Sequence, residues 1–165
     1  MSTVNDFISN FTSGARSNLY KVIIDGIDQK LEFVCKAAQI PGKTINPIEM
    51  NYLNNQIKIA GDTTFEDWSI TVVNDEDFGI RQQLDEWQEN IKNNAAAVGQ
   101  GNLSDYFRTA TVIQLNRDGS ENANGKYKFQ ALWPTSVEPI DLGFDNRDNV
   151  EEYGVTFSYA YWEKE

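Results

Sequence analysis

Four carboxylates and one thiol are the residues whose type and spacing invite a chemical reading. Glu66 and Asp67 stand side by side before Trp68, and paired carboxylates can serve as acid and base in glycoside hydrolysis. Neighbouring residues of a strand point to opposite faces, so these two cannot flank one bond as a pair. Asp145 and Asp148 enclose Arg147 and read as solvent-exposed turn residues. Cys35 is the single cysteine, so it can form no intrachain disulfide. With no neighbouring histidine or obvious cationic pocket to lower its pKa, it reads as a small buried hydrophobe. The chain has no histidine, which removes the commonest general base and metal ligand together. One cysteine without histidine also excludes the usual zinc sites, and neither a Gly-rich phosphate loop nor a calcium loop is present. The expectation is a protein without catalytic, cofactor-binding or metal residues.

Composition narrows the class. At 165 residues the chain suits one domain over 1–165 with its own core, of which 1–17 reads as a polar, weakly patterned, flexible arm. A content of 40% hydrophobic and 12% aromatic residues with four prolines predicts a globular chain. No run approaches the ~20 apolar residues of a membrane span. The first residues lack the basic and apolar regions of a secretion signal, which predicts assembly in cytoplasm and no membrane insertion. The sequons at Asn10 and Asn102 then carry no meaning. Twenty-five acids against 14 bases give a formal charge of −11, which opposes direct binding to nucleic acid. Eight acids and two bases fall between Glu138 and Glu165, concentrating charge toward the C-terminal end.

Periodicity predicts the elements. Leu19–Asp25 and Gln29–Ala38 read as a hairpin about Asp25-Gly26-Ile27-Asp28, with Leu31, Phe33, Cys35 and Ala37 on one face. Pro41 and Pro47 bracket a bend. A second hairpin follows, Ile48–Tyr52 and Gln56–Ala60 about Leu53-Asn54-Asn55, whose alternate residues are amides and charges. Ala60-Gly61-Asp62 reads as a turn at which glycine supplies positive φ. Trp68, Ile70 and Val72 alternate with Ser69, Thr71 and Val73, the period of a half-buried strand. Asn74-Asp75-Glu76-Asp77 is helix-start chemistry, and Ile80, Leu84, Trp87 and Ile91 form one apolar stripe of a helix over about Asp75–Asn93. Thr109–Leu115 and Lys126–Trp133 flank a turn over Asn116–Gly125, with Tyr127, Phe129, Ala131 and Trp133 in phase. Tyr153, Val155, Phe157, Tyr159 and Tyr161 mark a last strand. The fold class is mostly β, an antiparallel sandwich or small barrel with one flanking α-helix.

The stretch Ile57–Glu76, IKIAGDTTFEDWSITVVNDE, resembles the tail tube proteins of contractile-tailed, T-even-like bacteriophages. It shares with them the Ala-Gly-Asp turn, the Phe-acid-Asp-Trp run, the Thr-bearing strand and the Asn-Asp-Glu helix start. Phe33–Ala37 leading to Pro41 looks like the family's second strand and bend. Ala131–Val137 and the segment ending Tyr161-Trp162-Glu163 look like its last two strands. The resemblance runs from about Leu19 to Glu163, departing from the family at Asn93–Phe107 and Asn116–Gly125.

The resemblance implies a structural virion protein that assembles into hexameric rings stacked as the inner tail tube, a conduit for DNA ejection. Its implied partners are further copies of itself, the sheath protein, baseplate and tail terminator proteins, and the tape measure protein and transiting DNA in the lumen. The mixed polar pattern of the hairpin marks Glu49, Asn51, Leu53, Asn54, Asn55, Gln56 and Lys58 as a candidate subunit interface. Glu49, Asp141, Asp145 and Asp148 are the candidate lumen residues. Two alternatives stay open: a related tube-fold part (secretion-system ring, tail terminator or baseplate cap), and an aromatic-rich β-sandwich binding module.

Overall fold

The computed structural model describes residues 3–11, 13–93, 98–99 and 102–165. Within the N-terminal segment expected to be an arm, Val4–Asn10 form α1. Thr3 and Asp6 form a reciprocal capping box, which satisfies two otherwise orphan donors and lets a short polar segment close one helical turn. Then come β1 (Tyr20–Ile24), α2 (Leu31–Val34), β2 (Cys35–Ala37), β3 (Thr44–Tyr52), β4 (Asn55–Thr64), β5 (Trp68–Val73) and α3 (Gly79–Ile91). The short β6 (Lys92–Asn93) and β7 (Val98–Gly99) pair with each other, and a 3-10 turn spans Leu103–Asp105. The C-terminal third holds β8 (Arg108–Leu115), β9 (Glu121–Val137), β10 (Glu152–Ser158) and β11 (Tyr161–Lys164).

Seven strands form one antiparallel sheet in the order β1-β8-β9-β10-β5-β2, with β11 added on β9. Strand β9 is 17 residues long; its first half pairs with β8 and β11, its second with β10. The sheet curls until its two edges meet, where the Tyr20 hydroxyl on β1 donates to the Cys35 carbonyl on β2 at 2.9 Å. The expected β-rich fold with a flanking helix is thus a nearly closed antiparallel sheet.

An aromatic cluster fills the interior. Trp68 stacks on Phe129 with ring centroids 4.5 Å apart and lies 5.4 Å from Phe157. Ile80, Leu84 and Trp87 bury one face of α3 against this cluster, with Ile91 partly buried beside them. The alternation over Trp68–Val73 and the helical stripe both match the expected pattern, because each element covers one face of a common core.

Several local expectations are corrected. The segments ending at Asp25 and beginning at Gln29 are not a hairpin. Strand β1 pairs with β8 and β2 with β5, so they occupy opposite edges of the sheet. After Gly26 turns the chain at φ 80, Leu31 N–H bonds to the Asp28 carbonyl and a helical turn follows. That turn buries Leu31 but leaves Phe33 83% exposed, so the expected four-residue strand face does not form. Cys35 is buried as expected, and burial pushes its thiol up to about 11.

Helix α3 begins at Gly79, not near Asp75, because Phe78 takes φ 52 and breaks the helical run. Asp75 and Asp77 instead bind the Lys30 ammonium, and Asp77 also accepts the Gly79 N–H at 3.0 Å. The turn after β8 is shorter than expected, since β9 already starts at Glu121. Within β9 the expected phase fails at Ala131, which has φ 56. Between Phe129 and Leu132 this strand carries one residue more than its partner, a β-bulge, so Phe129 and Leu132 are both buried and Ala131 is not. The last strand divides at Tyr159–Ala160: β10 stays on the second half of β9 and β11 crosses to the first.

Candidate assembly surface

Strands β3 and β4 form a two-stranded sheet of their own. Their register pairs Pro47 with Ala60, Ile48 with Ile59, Glu49 with Lys58, Met50 with Ile57, Asn51 with Gln56 and Tyr52 with Asn55. Leu53 and Asn54 close the turn with φ 47 and 63, both positive as in a two-residue type I′ hairpin. Every residue of the two strands is exposed except Gly61, which is half-buried. Gly61 is not at a turn and has no positive φ, contrary to expectation. It lies inside β4 beside a register shift between Ile45 and Pro47, where the strands pass too closely for a side chain.

Strand alternation gives this hairpin two unlike faces. Ile48, Met50, Ile57 and Ile59, with Tyr52, share one face and are 45 to 64% exposed. Glu49, Asn51, Gln56 and Lys58 share the other, and the Gln56 amide donates to the Glu49 carboxylate at 2.6 Å. An isolated two-stranded hairpin is marginal in water, and contiguous exposed apolar side chains are the kind of surface that partners commonly cover. Both long edges also present backbone donors and acceptors without a strand partner within the described residues, which is a template for pairing with another chain.

The sequence-predicted interface residues Glu49, Asn51, Leu53, Asn54, Asn55, Gln56 and Lys58 all fall on this hairpin or its tip. Reading the sequence for polar residues missed the apolar face. Its signal was present, in the alternation of Ile48, Met50 and Tyr52 and of Ile57 and Ile59, but no core partner in the same chain announced it.

The other predicted lumen residues lie elsewhere. Asp141, Asp145 and Asp148 are exposed on the long β9–β10 connection, together with Leu142 and Phe144. That connection leaves the sheet at the Val73–Glu152 end of the β5–β10 pair, whereas β4 leads into β5 at the Trp68–Phe157 end. Glu49 and the three aspartates therefore belong to segments rooted at opposite ends of β5. Glu66 and Asp67 are exposed in the short β4–β5 connection. Among the described residues no group of three His, Cys, Asp or Glu side chains could hold a metal ion.

The family model described as phage tail tube protein matches residues 2–165. The tail tube protein gp19 of Enterobacteria phage T4 is 34% identical over 162 residues, covering 97% of this chain and 99% of the relative. Its counterpart from Enterobacteria phage T6 matches with the same identity and coverage. Among solved structures, a sheath/tube terminator of an extracellular contractile injection system in the extended state aligns with a TM-score of 0.69. That alignment covers 92% of this chain and 96% of the other at 12% identity, a likeness of fold.

Proposed function

This chain belongs to the phage tail tube protein family, and from that premise we propose that it closes into six-membered rings stacked as the inner tube of a contractile tail. The observation that carries this reading is the β3–β4 hairpin, a two-faced sheet with open edges and no partner strand among the described residues. A head-to-tail contact closes into a ring when its rotation closes, and stacked rings grow without limit. Each hairpin then takes its missing neighbour from the next copy. The apolar face of Ile48, Met50 and Ile57 packs on an adjacent protomer and the edges join a continuous inner sheet.

The polar face, with Glu49, Asn51, Gln56 and Lys58, turns toward the channel. Glu49 and Lys58 offset one another there, so the wall offers hydrogen bonds without a basic patch to hold phosphates. Asp141, Asp145 and Asp148 are the second wall candidates, and their charge acts only within about 8 Å at physiological salt. The partners in this reading are the sheath protein outside, the baseplate and terminator at the ends, and the tape measure protein and DNA inside. Assembly takes place in the host cytoplasm, the product is part of the virion tail, and the role is structural, without catalysis. Residues 1–165 act as one tube-forming domain.

Electron microscopy and sedimentation of the purified chain test this reading. Rings or tubes of uniform diameter are expected at high protein concentration. A monodisperse monomer at all concentrations would contradict it.

A further inference from the structure

We propose that Leu53 at the hairpin tip is an axial anchor that docks on the hairpin root of a second copy of this chain in the next ring. The inference rests on the tube reading and adds to it the residue that joins one ring to another. Leu53 combines two unfavourable properties. It is 79% exposed, and its φ of 47 lies in the left-handed region, which Asn, Asp and Gly adopt more readily than a branched apolar side chain. The turn needs this φ but not a leucine, and an exposed apolar residue out of keeping with its conformation motivates a functional hypothesis.

Geometry gives the direction. Strands joined side by side in a closed wall run, with tilt, from one rim to the other. The Leu53-Asn54 turn therefore sits at one rim of a ring and the root of the hairpin at the opposite rim. The root exposes apolar surface: Ile40 and Ile45 are 50 and 52% exposed, and Lys43 is the charged residue between them. Tip and root differ, so the contact is head-to-tail and repeats from ring to ring. The apolar strand face ends in Tyr52 beside the tip, so the axial contact continues the surface assigned to contacts between copies.

The test compares Leu53→Asn, Leu53→Met and the unchanged chain. Asn suits positive φ better than Leu, so Leu53→Asn should melt at the same temperature or higher and still close rings. Its concentration threshold for tube growth should rise at least about tenfold, roughly 1.4 kcal/mol of axial contact. Leu53→Met keeps an apolar side chain at the same φ and should form tubes near the unchanged threshold. Ile45→Ser, at the root, should reproduce the Leu53→Asn defect. Tubes from Leu53→Asn at the unchanged threshold would overturn the proposal, as would equal loss in Leu53→Asn and Leu53→Met. An unchanged chain that forms neither rings nor tubes would contradict the tube reading and this inference with it. Rings and tubes from the unchanged chain with no effect of either site would overturn the inference alone.

Discussion

A Cβ on Gly61 would lie 2.6 Å from the carbonyl oxygen of Asn46 on the facing strand and 2.8 Å from Cγ1 of Ile48. The approach arises at the register shift of the hairpin, where β4 passes from Thr63 to Ala60 while β3 passes from Ile45 to Pro47. The extra residue on β4 needs a position without a side chain, and Gly61 supplies it. The Asn46 side chain braces the same region by donating to Thr64 Oγ1 at 2.8 Å.

Gly61→Ala should therefore disturb the hairpin without loosening the core. The clash is with backbone, which cannot rotate away as a flexible side chain can. The melting temperature should stay within about 2 °C, since the hairpin lies outside the buried core and such substitutions cost little stability. Tube formation should be lost. Differential scanning calorimetry and sedimentation of the same sample separate the two effects. A large drop in melting temperature would place the hairpin within the folding core.

Trp68 carries the opposite expectation. It is 1% exposed, stacks on Phe129 with Phe157 tilted against it and donates its indole N–H to the Gln39 carbonyl at 2.8 Å. Trp68→Ala should cost ~3–5 kcal/mol and lower the melting temperature by on the order of 10 °C. Thermal unfolding followed by circular dichroism measures it. A variant that melts normally yet loses binding to one ligand would support a binding module instead.

The ammonium of Lys30 ties the α2 turn to the start of α3 through Asp75 and Asp77. Hydrogen bonds from Lys30 hold both carboxyls below the usual carboxylate range and hold the ammonium above its own. A carboxylate depressed in the folded state stabilises above its unfolded pKa, and that contribution disappears as pH falls through the folded value. The advantage of the unchanged chain over Lys30→Met should therefore be constant from about pH 5 to 9 and shrink below about pH 4. On the alkaline side it should fade as pH rises past the raised lysine value. Paired melting curves across pH test the sign; an advantage that grows in acid would refute the assignment.

Cys35 should be inert while the chain is folded. Burial raises its thiol to about 11, and the reactive species is the thiolate. At pH 8 a disulfide exchange reagent should label it only as fast as the protein opens, and denaturant should release full labelling at once. Rapid labelling of the native protein would mean that the β2 edge is open.

Elements that close on the chain's own core were legible in its sequence, because burial imposes a period. The stripe Ile80, Leu84, Trp87, Ile91 and the alternation through Trp68, Ile70 and Val72 each reported one buried face. Positions where the backbone leaves its regular path were not legible. Ala131 and Phe78 adopt positive φ, a choice forced by the sheet bend and the helix start, not by their own preference. Phe33 looked like core because it alternates with Cys35, yet a single helical turn moves it to the surface. The hairpin was found for its polar residues, while its apolar face stayed hidden because the chain supplies no surface to cover it.

The most direct test of the central claim, that the β3–β4 hairpin completes itself on a neighbouring copy, is a helical reconstruction of assembled tubes at side-chain detail. The account predicts six protomers per ring, hairpin edges paired between protomers, Ile48, Met50 and Ile57 buried against an adjacent copy, and Glu49 facing the channel. Tubes in which the hairpin remains exposed on the outer surface, with its apolar face in solvent, would contradict it.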